Sequence, residues 1–144
     1  MKWTAKDVDM YEQAKEYVDT ALIPCIPIGS TNMKAFAEMG EHTLLIANDV
    51  ERQFKGRVML FPPLTYFVHE HVPSRVREWT NMLKTLGFQH ICFLTSHADV
   101  ADETFVYVPA LPLEHVDESY KQKIVRQQVE QVMDVLVTKW TLKN

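Results

Sequence analysis

The chain has 144 residues and a formal net charge of −4, with 47% hydrophobic and 24% charged residues. That length suits a single domain able to bury a core, and the composition is that of a globular chain. Lys and Arg are not in excess, as nucleic-acid binding would require, and no apolar run nears the roughly 20 residues of a membrane span. The opening MKWTAKDVDMYEQAKEY also lacks the apolar centre of a signal peptide. A cytoplasmic protein is expected, binding neither nucleic acid nor membrane.

Thr4 to Tyr17 reads as a helix, with Thr4 or Asp7 as cap and Val8, Tyr11, Ala14 and Val18 on its inner face. The run Ala21–Asn32 (ALIPCIPIGSTN) organises the chain. It is apolar without alternation, as a central strand covered on both faces would be. Pro24 and Pro27 each remove a ladder donor from such a strand, which implies a short, irregular strand or an early exit from the sheet. A helix on the sheet follows, with Leu44, Leu45, Ala47, Val50 and Phe54 turned inward. Gly40 marks an uncertain start, and Gly56 stands at the C-cap.

Arg57–Phe61 reads as a buried strand stopped by Pro62-Pro63, and Leu64–Pro73 as a loop. Ser74 caps a helix running to Leu86, with Val76, Trp79, Met82, Leu83 and Leu86 inward, and Gly87 closes it. His90–Thr95 and Thr104–Val108 complete the strands, the direction of the latter being open. A last helix spans Asp117–Thr138 with Ile124, Val125, Val129, Val132, Met133, Leu136 and Val137 on one face. That stripe covers the sheet or, as the alternative, forms a homodimer contact. Cys25 and Cys92 lie in apolar runs without CxxC spacing and are expected as buried, reduced thiols. Helical crossovers between strands favour parallel pairing, so the fold class is α/β: a three-layer sandwich around a small, mostly parallel sheet of about four strands.

In open α/β sheets ligands gather at the carboxyl edge of the strands. Gly29, Ser30, Thr31 and Asn32 would emerge there, together with Tyr66, as a ligand pocket. His97 with Asp99 sits at another strand end. This His-x-Asp spacing suits two ligands of a metal such as zinc or manganese, or equally a turn Asp beside a partly exposed His. His69 and His71 flank Glu70 and, on an extended segment, would project to one side as further ligands; a solvated loop is the other reading. His42 is placed at the surface. No complete catalytic set and no glycine-rich phosphate loop occurs.

From MKWTAKDVDMYEQAKEYVDTALIPCIPIGS onward the whole chain resembles the uncharacterised YpiF family of Bacillus, a resemblance that implies a small cytosolic protein and no activity. Ile26–Ser30 (IPIGS), His42–Ala47 (HTLLIA) and Gly87–Asp99 (GFQHICFLTSHAD) more distantly resemble the creatininase family of metal-dependent amidohydrolases. That resemblance implies its fold, with His69 or His71 standing for the family's loop histidine. Asn32 and Lys34 stand where the family has Glu and His, and only His97 and Asp99 of the later motif keep ligand types. Loss of most ligands argues against a dinuclear centre. The expectation is a non-catalytic domain, without a cofactor, acting through contacts with a protein partner. The alternatives are a small metal-dependent amidohydrolase and a small-ligand sensor.

Overall fold

The computed structural model describes residues 1–111 and 116–142. Four helices, α1 (Ala5–Glu12), α2 (Met33–Gln53), α3 (Val72–Thr85) and α4 (Glu118–Thr141), accompany five strands: β1 (Thr20–Ile28), β2 (Val58–Leu60), β3 (Leu64–Phe67), β4 (His90–Thr95) and β5 (Phe105–Tyr107). Every strand pairing is parallel. The order is β2-β1-β4-β5, with β3 continuing beside β1 where β2 ends. Side chains above the sheet, among them Tyr11, Ala21, Ile23, Phe61, Leu64, Tyr66, Val76 and Leu83, form a core with α1 and α3. Those below, including Leu22, Ile46, Val50, Val58, Leu94, Val132 and Leu136, form a second core with α2 and α4. The expected three-layer α/β sandwich is therefore observed.

Leu64–Phe67 is a strand, not the expected loop, and the reason lies in the register. Partners are 38 residues apart at Leu22↔Leu60 and 39 apart at Cys25↔Leu64. Phe61-Pro62-Pro63 thus holds one extra residue, a bulge within what is otherwise one edge strand. The same bulge accommodates Pro24. In a parallel ladder a residue turns its N–H and C=O to one neighbour, and the next residue turns to the other. Leu22 O accepts from Phe61 N and Ile28 O from Val68 N, so the even positions of β1 face β2 and β3. Pro24 then lies opposite the bulge. Pro27 faces β4, but β4 stops pairing at Cys25↔Thr95. Both prolines occupy ladder positions that have no acceptor to serve, and β1 keeps all nine residues.

The helices depart from expectation in detail. α1 ends at Glu12, because Ala14 to Val18 turn to enter β1; Thr4 caps it by accepting from Asp7 N at 3.1 Å. α2 runs unbroken through Gly40, which is buried where a Cβ would lie 3.0 Å from Ile26 Cγ2. Leu45 faces solvent while Thr43 and Ile46 turn inward, and Gly56 does not have the left-handed conformation of a C-cap. α3 starts at Val72, with His71 rather than Ser74 at the N-cap, and its Met82 and Leu86 are exposed. Gly87 follows it with φ of +102° and ends it as expected. β5 is parallel over a short connection, because it pairs only with Phe93–Thr95 and the chain need step back just two residues. The inner face of α4 covers the sheet through Val129, Val132 and Leu136. Cys25 and Cys92 are buried in opposite cores, and burial pushes the Cys92 thiol up to about 12.

His42 is buried, not at the surface. Its Nε2 meets Gln128 Oε1 on α4, and Gln128 Nε2 donates to the Pro109 carbonyl at 3.0 Å. Burial lowers its pKa from the ordinary 6.5, against a smaller opposing effect of the Gln128 hydrogen bond. The unfolded chain therefore binds this proton more readily than the folded one. Stability from this site is complete above pH 6.5 and declines as pH falls through 6.5 towards the lower folded value. The melting temperature should drop over that interval, and His42→Gln should flatten the drop; an unchanged slope would exclude His42 as its source.

Candidate functional site

Parallel strands send their carboxyl ends to one side, and β1 and β4 part there in opposite directions, which opens a crevice. A cleft of about 850 Å³ occupies this edge between the start of α3 and the β4–β5 connection. Phe36, Val72, Val76, Val100 and Phe105 give it apolar walls, while His71, Arg77, His97 and Asp99 supply polar groups.

His97 forms its floor. Only 6% of the residue is exposed, and its Nδ1 lies 2.8 Å from the Tyr66 hydroxyl. Its backbone N–H is held by Thr95 Oγ1 at 3.0 Å, and Phe36 meets its ring edge-on at 5.7 Å. Burial raises the Tyr66 pKa well above its ordinary value, so the phenol keeps its proton. On the other side, Asp99 Oδ2 is 3.5 Å from Nε2, on a side chain 88% exposed at the mouth of the cleft. A carboxylate there favours the proton on Nε2. In the neutral imidazole Nδ1 then accepts from Tyr66, and an N–H donor faces the cleft.

The remaining expected site residues fall elsewhere. Gly29, Ser30, Thr31 and Asn32 do not line this cleft. Asn32 instead caps α2, accepting from Ala35 N at 3.3 Å. Gly29 has a steric role: a Cβ on it would come 2.5 Å from Phe36 Cε2, so its bare backbone seats the ring that covers His97. His69 and His71 are not on an extended segment. His69 stacks on Phe67 in the turn after β3, and His71, which does line the cleft, binds Ser74 Oγ through Nδ1 at 2.7 Å.

Glu70 between them serves the sheet edge. It accepts from Phe67 N at 2.6 Å and from Arg75 at 2.9 Å, and the Phe67 N–H foremost holds its carboxyl below the usual range. Of the four residues weighed as ligands, only His97 and Asp99 come together. Among the described residues no group of three or more His, Cys, Asp or Glu could hold a metal ion. Sequence reading missed Phe36, Val72, Val76 and Phe105 as walls, since apolar residues at helical and strand spacing carry no mark of which cavity they face.

The family described as "Protein of unknown function (DUF2487)" matches residues 9–140. The "Uncharacterized protein YpiF" of Bacillus subtilis (strain 168) is 37% identical over 147 residues, covering 98% of this chain and 99% of the relative. Neither description names an amidohydrolase, so the creatininase resemblance gains nothing from them. No solved structure matches the chain. No helix among the described residues is long and apolar enough to cross a membrane.

The seat of Phe36 yields a direct test. Gly29→Ala should destabilise the fold by about 1–3 kcal/mol through overpacking, and adding Phe36→Leu should recover part of that loss in a double-mutant cycle. Additive effects would show that the two residues do not share this contact.

Proposed function

The chain belongs to the DUF2487 family, and from its cleft we propose that it acts as a small-ligand-binding domain rather than as a metal-dependent hydrolase. One observation carries this reading: a His97 more than nine-tenths buried, oriented by Tyr66, turns its second ring nitrogen to a cleft with apolar walls. A ligand site combines apolar walls with a few fixed polar groups. Here His97 Nε2–H suits a carbonyl or carboxylate oxygen, and the Asp99 carboxylate at the mouth suits a neighbouring amine or hydroxyl. The fitting ligand is a small molecule with an apolar body and a head carrying both kinds of group.

A panel of amino acids, amides and hydroxy acids tests this by thermal shift. A ligand at about 100 times its Kd adds about 2.7 kcal/mol of stability, a shift of several degrees. Asp99→Asn, at an exposed position, and His97→Ala should both abolish the shift. A panel that moves nothing, or shifts that survive both substitutions, would sink the reading.

A groove of about 440 Å³ favours the second reading, action through a protein partner. Trp3, Phe61, Trp79, Met82 and Leu86 line it, and Met82 is 60% exposed. Exposed aromatic and methionine side chains around a concavity are typical anchor points for a partner. A protein that co-purifies with the wild type and is lost from Met82→Glu at unchanged melting temperature would support it; equal capture by both would count against the groove.

A further inference from the structure

The outer side of β3 is guarded. By the alternation of the parallel ladder, Val68 N turns to β1, so Thr65 and Phe67 turn their backbone groups away from the sheet. Those groups are met by side chains. Arg75 Nη2 donates to the Thr65 carbonyl at 3.2 Å, and Phe67 N–H donates to Glu70 Oε2 at 2.6 Å. Glu70 and Arg75 are themselves joined at 2.9 Å, so one ion pair spans an open strand edge. Edges of this kind pair with other chains unless they are covered.

The same edge already takes up an extended segment further along. Lys2 bridges Leu60 in parallel, and Leu60 N donates to the Met1 carbonyl at 2.8 Å. Apolar side chains flank the guarded stretch, with Ile28, Phe67 and Val68 all exposed.

We propose that the Glu70–Arg75 pair is a removable guard on a strand-addition site, and that the occupant of this site is a second copy of the chain. The covered groups fit that occupant. In an antiparallel pair, residues two apart on one strand can meet the same two residues in reverse order on another. With a two-fold axis at Tyr66, the Phe67 N–H of each copy donates to the Thr65 carbonyl of the other. The donor and acceptor under the guard are thus each other's partners, a self-complementary edge as two-fold symmetry requires. One such contact uses up the edge and closes the assembly at two copies.

The test is sedimentation velocity across a wide concentration range, comparing wild type with Arg75→Ala, Glu70→Ala and the charge swap Glu70→Arg with Arg75→Glu. Removing one member of the guard should tighten dimerisation at least about tenfold, the scale of one charge-assisted hydrogen bond. The swap keeps an ion pair but sets a donor against the Phe67 N–H and an acceptor against the Thr65 carbonyl, so it should dimerise as tightly as the single variants. Phe67→Pro removes the outward N–H without touching the β1 ladder, and added to Arg75→Ala it should abolish the dimer. Matching melting curves would show that each variant is folded. Single variants that stay as monomeric as wild type, dimers that survive Phe67→Pro, or open-ended oligomers would each overturn the proposal.

Discussion

One extra residue at Phe61-Pro62-Pro63 determines where the chemistry of this fold lies. Side chains of a strand alternate between faces, so a shift of one register position turns every later residue over. Before the bulge, Met59 and Phe61 point to the core shared with α1 and α3; after it, Leu64 and Tyr66 do. Had the spacing stayed at 38 residues, Tyr66 would have faced the opposite side of the sheet. The Tyr66 hydroxyl could not then reach His97, and the imidazole at the floor of the cleft would lose the partner that fixes its tautomer.

The bulge also explains why so apolar a central strand tolerates two prolines. Pro24 is opposite the bulged residues and Pro27 is past the end of β4, so neither deprives an existing ladder of a donor. The irregular strand beside β1 and the prolines within it are one adaptation. Its cost appears at the outer edge, where a strand broken in two leaves β3 short and open, and side chains from the next turn cover it.

What could be read from sequence follows from this. The apolar runs at residues 20–28 and 90–95, the helices around them and the parallel sandwich were all legible, because two-sided burial and helical periodicity are local signals. The strand at Leu64–Phe67 was not. Pro62-Pro63 has the form of a strand terminator, and only pairing with β1 reveals it as a bulge. His42 was misplaced because it lies beside Glu41 and nothing local to it points to Gln128, 86 residues away. His97 and Asp99 were singled out together and lie 3.5 Å apart, while His71 binds Ser74 through Nδ1 and His69 stacks on Phe67. The motif His69-Glu70-His71 suggested ligands by residue type, whereas the backbone groups of β3 account for Glu70.

The turn from β3 into α3 is the place where the two proposals meet. Within a few residues it supplies Glu70 to the guarded edge and His71, Val72 and Pro73 to the wall of the cleft. Arg75, one turn along α3, ties the edge from the helix side. Anything that moves the start of α3 towards the cleft also moves Arg75 relative to Thr65. A ligand that draws His71 inward and a second chain that displaces Arg75 would therefore act on the same few residues, beside a strand of four residues whose outer side has no further strand among the described residues. Under the two proposals, ligand occupancy and self-association would be coupled through one short element, with the sign set by whether the bound ligand tightens or loosens the Glu70–Arg75 pair.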